Sequence, residues 1–575
     1  MKKDSDLRQL LQEIDHRGYP SYKQTAGKWA CRGFVLSIDH VQGDPFASPS
    51  NVSVIIEGVK AGFPEAYYRK VHRRIALEDS LLRYFSRELS HAATERAGSG
   101  KSGLIATSRP GQEILERTAM SVDEKTGDIT VRLEVGFPAH GRTVFVKPLE
   151  KIFFSILPGL VSRCLTYRNI DQKKLLASIE LADDVLALRT RLEEMGLVAF
   201  VADGSILARE SGVSQRPMKD AVPFVSPESL SVTVDLPHHG PLSGMGIREG
   251  IFLIVGGGYH GKSTLLSALE RGVYDHVAGD GREYVVTRSD AMKVRAEDGR
   301  SVRAVDVSLF INDLPNRADT GRFSTEDASG STSQAAAVSE AVEAGASLLL
   351  VDEDTCATNF MVRDALMRRV VSGDKEPITP FLSRMRELYT HSGISTVLVA
   401  GSSGSFFGVA DTVIQMDEYV PKDVTARAKE AYSYFEETEK DADDGKYPFR
   451  APDSSRIVKA IPQWRKPGVR VKTKVMAVDT FSIDKENVDL RGLSQIVDRE
   501  QTQAVAAAFK YLSMHLFNDR MTLCEGVDLL YDRLQKQGLE LLFDKSTVRC
   551  GLAMPRREDL IGALNRWRRL TILLQ

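Results

Sequence analysis

Apolar positions along the first 150 residues follow two periods. LRQLLQEI (residues 7–14) repeats every three or four positions and predicts a helix, as does SLLRYFSRELSHAA (80–93). FVLSIDHV (34–41), NVSVIIEGV (51–59), ITVRLEVGF (129–137) and TVFVKP (143–148) read as strands. Between them, RAGSGKSGLIATSRPGQ (96–112) is rich in glycine and proline and predicts a flexible loop. A more helical block runs from about 148 to 217, with KLLASIELADDVLALRTRLEEMGL as its strongest element.

The texture changes near residue 226. SLSVTVDL alternates as a half-buried strand, and IREGIFLIVGGG is a turn feeding a fully apolar strand. STLLSALERGV predicts a helix, and ASLLLVDED and GISTVLVAG are two more short buried strands. Short apolar strands separated by helices predict an α/β core with a parallel sheet. From 421 to 471 the chain is charged and broken by prolines, which predicts a linker or a peripheral excursion. Three helical patterns close the chain, beginning REQTQAV, LCEGVDL and REDLIGA. The expected organisation is therefore a mixed α+β region over 1–147, a helical segment over 148–225, an α/β core over 226–420, the linker over 421–471 and a mainly helical module over 472–575.

Composition narrows the class. A formal net charge of −2 over 575 residues gives no global field for polyanions, so any nucleic-acid surface must be local. The five cysteines are scattered, with no CxxC pair, which points to a reducing compartment without a structural zinc. The N-terminal stretch lacks the apolar run of a signal peptide. The longest apolar run, IFFSILPGLV (152–161), is far short of the roughly 18 residues of a membrane span. A cytoplasmic protein is expected.

The chemistry starts at VGGGYHGKST, residues 255–264. Gly256, Gly261, Lys262 and Ser263 fit G-x-x-x-x-G-K-[ST], with Gly257, Gly258, Tyr259 and His260 between them and Thr264 following. A strand leads in and a helix leads out, the context this motif needs. Glycines let backbone N–H groups turn inward, and the helix N-terminus adds its positive dipole. Lys262 is placed for the β- and γ-phosphates of a nucleotide, and the Ser263 hydroxyl for Mg2+. Tyr259 and His260 are bulky for such a loop and must point outward. His260 either assists phosphate chemistry or packs on a neighbour; Tyr259 stacks on a base or faces a protein seam. A second Gly-Lys stretch, GSGKSG (98–103), has Glu95 where the motif demands glycine, with no apolar strand before it and no helix after it.

LLLVDEDT (348–355) is a buried strand ending in Asp352 and Glu353. Asp352 is placed to hold Mg2+ through water and Glu353 to polarise an attacking water. Ser329-Gly330-Ser331 opens a small-residue helix 23 positions before Asp352. That segment resembles the Leu-Ser-Gly-Gly-Gln signature of ABC-class ATPases. A serine hydroxyl and N–H groups at a helix start suit a γ-phosphate; the resemblance implies that the phosphate is held by the opposite subunit of a homodimer.

The resemblance extends further. DHVQGDPFASPS (39–50), VGFPAHGR (135–142), AVPFVSPESL (221–230), GDGREYVVT (279–287), AEDGRSV (296–302) and DEDTCATNFM (352–361) are similar to a family of soluble proteins described as ATPases of the ABC class. The family occurs in bacteria and some eukaryotes and includes RNA-linked mitochondrial relatives. The resemblance covers nearly the whole chain, most weakly after about residue 421. It implies an ABC-type core binding ATP and Mg2+, flanked by domains unlike those of transporters. The chain departs from the family pattern at three points. Ala328 and Ser331 replace signature residues. Gly401, followed by Ser402 and Ser403, stands where a γ-phosphate-contacting histidine is usual, which favours slow turnover. Asn312 in FINDLPNR stands in for the usual glutamine. No aromatic just upstream of the loop offers itself to adenine.

Three basic runs point to a polyanionic partner: YYRKVHRR with Arg69, Lys70, Arg73 and Arg74; WRKPGVRVKTK with Arg465 and Lys466; and RWRR with Arg566 and Arg568. Taken singly, each is more often just a solvated helix face. Together they favour nucleic acid, and the RNA-linked relatives favour RNA over DNA. Two functions follow: a dimeric ATPase that remodels nucleic acid, or an ATP-gated scaffold for a protein partner that hydrolyses little. A small-molecule kinase leaves the signature segment unexplained.

Overall fold

The structure, a computed structural model, describes residues 1–92, 98–363, 376–438, 447–543 and 547–573. It divides into two compact units, Met1–Asp184 with Gln537–Met554, and Val185–Lys536 with Pro555–Gln575.

In the first unit, helix α1 (Asp4–Ile14) buries Leu7, Leu11 and Ile14, the stripe its sequence predicts. Strands β1 (Gly27–Cys31), β2 (Phe34–His40), β3 (Ser50–Ile56) and β4 (Ile129–Val135) are consecutive antiparallel neighbours in a seven-stranded sheet. Strand β4 alternates buried and half-buried residues along its whole length. Helix α2 (Val71–Ala92) contributes Leu77, Leu81, Leu82, Phe85 and Leu89 to the same core. TVFVKP is strand only at Thr143–Val144, and a helix starts at Val146.

The glycine-rich GSGKSG stretch is not loose. Ser99 N–H donates to Ala139 at 2.8 Å and Lys101 N–H to Pro45 at 2.9 Å. Gly100 has φ +62°, and a Cβ there would lie 2.5 Å from the Pro45 carbonyl oxygen. The glycines allow close backbone packing on the DPF and PAH segments rather than a phosphate cradle. Residues 537–554 complete this unit: Thr118 N–H donates to Leu552 at 3.0 Å, and Met554 N–H to Glu116 at 2.9 Å.

Two sheets of the second unit position the site. Strand β5 (Leu197–Ala202) lies in the stretch whose pattern predicts helix, yet all six of its residues are buried. It joins β6 (Ser231–Leu236), β7 (Gly240–Arg248) and β9 (Val285–Thr287) in an antiparallel sheet of order β6-β7-β5-β9. The other sheet is built from β8 (Ile251–Val255), β10 (Met292–Val294), β11 (Leu348–Asp352), β12 (Ser395–Val399), β13 (Thr412–Asp417) and β14 (Val420–Asp423), in the order β10-β11-β12-β8-β13-β14. All neighbours are parallel except β13 and β14. Strands β11 and β12 are buried at every position, as a sheet covered on both faces requires. Helix α3 (Lys262–Arg271) follows β8, and helix α4 (Gly330–Glu343) precedes β11.

The predicted linker opens in regular structure, because β14 pairs with β13 and helix α5 (Thr425–Thr438) follows. Residues 439–446 of that segment lie outside the described residues. The C-terminal part adds a three-stranded meander, Thr473–Ala477, Thr480–Ile483 and Glu486–Asp489, that the helical patterns did not announce. Helices α6 (Arg499–Tyr511), α7 (Leu523–Gln537) and α8 (Arg557–Asn565) follow. Asp498 caps α6 by accepting the Glu500 N–H at 2.7 Å.

Candidate functional site

Strand order assembles the site. The carboxyl ends of β11, β12 and β8 lie side by side, and in open α/β sheets ligands bind at that edge. Strand β11 ends in Asp352 and Glu353, β12 runs into Ala400, Gly401 and Ser402, and β8 runs into the glycine loop.

The loop from Gly256 to Gly261 bends back through left-handed backbone at Gly256 (φ +140°), Tyr259 (φ +65°) and Gly261 (φ +98°). A Cβ at Gly256 would sit 2.5 Å from the Met416 carbonyl oxygen, and one at Gly261 2.8 Å from the Tyr419 ring. Both positions therefore demand glycine. Gly257 and Gly258 are exposed beside them. Lys262 Nζ donates to the carbonyls of Gly256 at 2.7 Å and Gly257 at 2.8 Å, so the ammonium crosses its own loop. Ser263 and Thr264 open helix α3, with Ser263 exposed.

Tyr259 is fully exposed, whereas His260 is anchored. The Glu418 N–H donates to His260 Nδ1 at 2.9 Å, and Tyr419 N–H donates to the His260 carbonyl at 3.1 Å. The histidine thus ties the loop to the β13–β14 turn. That turn brings Tyr419 onto Gly261. Leu207, Met218, Val222, Phe224, Met416 and Tyr419 line an apolar cleft of about 160 Å³ beside Gly261 and Thr264. No sequence signal marks this wall, since its residues come from three separated stretches.

Asp352 is buried at the end of β11. Burial pushes its carboxyl above the usual range, and the Asp354 amide and the Lys293 and Lys262 ammonium groups pull it back. Glu353 next to it is gripped by the loop after β12. Its Oε2 accepts the Gly401 N–H at 2.6 Å and the Ser402 N–H at 3.0 Å, while the Ser402 hydroxyl donates to Oε1. Burial lifts the neighbouring Cys356 thiol to about 12, so it stays neutral and unreactive.

Ser329 is the N-cap residue of α4, and its hydroxyl donates to Thr332 Oγ1 at 3.0 Å. A Cβ on Gly330 would come 3.1 Å from Asp298 Oδ1, and Ser331 is buried behind it. Gln334 on the same helix accepts the Ala357 N–H at 2.9 Å, which ties the signature helix to the segment after Glu353. Asn312 is not displayed: its amide donates to the Ser308 carbonyl at 2.6 Å within its own turn.

Over most of their length the chain's segments match known family models. Residues 171–454 match the P-loop domain of ABC ATPases, residues 4–168 the N-terminal domain of ATPases of the ABC class, and residues 472–573 the C-terminal domain of MRB1590. The chain belongs to the family of ABC-class ATPases. This ABC-class ATPase is 30% identical over 261 residues to the uncharacterized protein MJ1628 of Methanocaldococcus jannaschii. That match covers 43% of this chain and 57% of the relative, so the chain spans little more than half of the curated relative's length. Among solved structures, cbiO1 from Clostridium perfringens, part of the ABC transporter complex cbiONQ, is 14% identical with a TM-score of 0.26, covering 43% of this chain and 94% of that one. The ADP conformation of MJ1267, an ATP-binding cassette of an ABC transporter, is 12% identical with a TM-score of 0.23, covering 34% and 88%. Among the described residues no helix is long and apolar enough to cross a membrane.

The basic runs of this ABC-class ATPase are unevenly available. Arg73 Nε donates to Asp183 at 2.8 Å, and Arg566 Nε to Glu297 at 3.0 Å. Arg465 is bonded to the Phe517 carbonyl, and Arg568 to those of Glu326 at 2.6 Å and Gly299 at 2.9 Å. Arg69 and Arg74 pair with Glu65 at 3.4 Å and Glu124 at 3.3 Å. Lys70 and Lys466 are exposed, as are Arg470, Lys472 and Lys474 farther along the second run.

Proposed function

We propose that this chain binds ATP at the glycine loop and hydrolyses it, using the cycle to bind or remodel nucleic acid, RNA before DNA. The observation that carries the reading is the convergence of Lys262, Asp352 and Glu353 at the ends of β8 and β11. On this reading the loop amides and Lys262 hold the phosphates and Glu353 orients the attacking water. The base lies in the apolar cleft against Tyr419. The donors suit a hard divalent cation: the Ser263 hydroxyl and the Asp352 carboxylate would hold Mg2+, which supplies charge neutralisation on the phosphates. A second copy of the chain would bring Ser329, Gly330 and Ser331 to the γ-phosphate, since ABC ATPase domains typically dimerise.

Nucleic acid as the partner is supported by the match to the MRB1590 C-terminal domain and by the exposed cations Lys466, Arg470, Lys472 and Lys474. The test compares ATP turnover with and without poly(U) or duplex DNA in the wild type and in Glu353→Gln. Stimulation by poly(U) that the variant lacks is expected, together with salt-sensitive binding. Turnover indifferent to both polymers, with no salt-sensitive binding, would refute the nucleic-acid reading. For the dimer, mixing Ser329→Arg with Lys262→Ala should leave at most one working site per heterodimer. Simple addition of independent monomer rates would rule the face-to-face arrangement out.

A second reading has its own observation. Glu353 is held by three hydrogen bonds, and a histidine is absent from the loop after β12, an arrangement compatible with an ATP-gated scaffold that turns over slowly.

A further inference from the structure

We propose that Ser402 is the positioning residue for Glu353, and that the Gly401-Ser402 loop forms a three-donor clamp that sets the direction of the carboxylate. The inference rests on the hydrolytic reading of Glu353. Strand β12 lies between β11 and β8, so the loop leaving it falls between the acid and the glycine loop. Glu353 and Ser402 are 49 positions apart, and the parallel pairing of Asp352 with Val399 sets both at the same level of the sheet.

The clamp divides the carboxylate's two oxygens. Oε2 takes both backbone N–H groups, at 2.6 and 3.0 Å, and Oε1 takes the Ser402 hydroxyl. A carboxylate has about four lone-pair positions, so three donors fix its plane and leave room for one more partner. That remaining acceptor is what a base for a single water needs. Any residue supplies the two backbone donors, but only the Ser402 hydroxyl supplies the third. Ser403 does not share the task, because its Oγ accepts the Ser405 N–H at 3.3 Å and starts the next turn. Ser402 itself is exposed.

The experiment measures ATP turnover over a range of ATP concentrations for the wild type, Ser402→Ala, Ser402→Thr, Glu353→Gln and Lys262→Ala. Loss of one hydrogen bond to a charged group predicts a kcat about tenfold lower for Ser402→Ala. Its KM for ATP stays within about twofold, since the hydroxyl acts on the base and not on nucleotide binding. Ser402→Thr keeps the hydroxyl and restores kcat. A wild-type kcat in Ser402→Ala, or a threonine variant as impaired as the alanine one, overturns the proposal. Amide hydrogen exchange gives a readout without turnover: the Gly401 and Ser402 amides should be protected in the wild type and lose protection in Glu353→Ala. Equal exchange in both overturns the clamp. A wild-type rate no higher than that of Lys262→Ala overturns the hydrolytic reading and Ser402's part in it, with exchange then deciding the clamp separately.

Discussion

The backbone N–H of Glu418 donates to His260 Nδ1 at 2.9 Å, and the Asp417 carboxylate lies 3.4 Å from the same nitrogen. A ring nitrogen that accepts from an amide has its lone pair committed there, so Nδ1 is taken up by the turn. Both contacts are to the β13–β14 turn. His260→Ala should therefore leave kcat within about twofold and raise KM for ATP several-fold, because the loop loses its tie to the β13–β14 turn. A loss of kcat at saturating ATP would give His260 a chemical role that its partners argue against.

Tyr419 presses on Gly261 from the same turn and faces the apolar cleft. Stacking of an aromatic side chain on a base is worth about 1–3 kcal/mol. Tyr419→Ala should raise the Kd for ATP by about tenfold or more and narrow the preference for purine over pyrimidine triphosphates, whereas Tyr419→Phe should behave as the wild type. Titration with a fluorescent ATP analogue measures both. Equal affinities for the three proteins would move the base elsewhere.

The contrast between these two residues shows what the sequence makes legible. The glycine loop and Asp352-Glu353 are contiguous motifs, each bracketed by its own strand, so pattern alone places them. The parallel core is equally readable because β8, β11 and β12 are short apolar runs. Tyr419 carries no local mark and Ser402 only its place beside a missing histidine, since their roles arise only when strand order sets β13 beside β8 and β12 beside β11. The RWRR run misleads for the opposite reason. Arg566 looks like a free cation in RWRR, but its partner Glu297 is 269 positions away in sequence. Strand β5 was hidden by the long helical pattern before it, which masks a six-residue apolar run.

Stability of the first unit should fall as pH rises. Glu78 on α2 is buried, its Oε1 accepts the Val122 N–H at 2.7 Å, and burial pushes its carboxyl up to about 8. Glu116 nearby is also raised, by burial and by Glu540. The folded state then keeps a proton on Glu78 that the unfolded chain releases near its ordinary value of about 4.3. Its stabilising effect is complete below that value and is lost as pH climbs toward 8. Melting followed from pH 5 to pH 8 should show a declining Tm, and Glu78→Gln, which retains the acceptor for Val122, should flatten the decline. Parallel slopes in the two proteins would assign the pH dependence to other groups.

The signature helix is anchored at its far end by a buried charge. Arg456 Nε donates to both oxygens of Glu343, the last residue of α4, at 3.1 and 3.0 Å, and its Nη2 donates to Asn565 of α8 at 2.8 Å. Both charged side chains are almost wholly buried, and the Arg456 Nη1 also donates to the Arg303 carbonyl at 3.0 Å. Removing one partner of such a pair leaves an uncompensated charge in a low-dielectric interior, which costs about 3–5 kcal/mol. Arg456→Met should lower unfolding stability by that amount in a urea titration. The double variant Arg456→Met with Glu343→Gln should recover part of the loss, because the stranded carboxylate is gone. If the pair also holds α4 in place for a partner subunit, Arg456→Met should impair turnover at temperatures well below its melt while nucleotide affinity at the glycine loop stays unchanged. Unchanged turnover in a destabilised variant would confine Arg456 to stability and leave Ser329 supported by α4 alone.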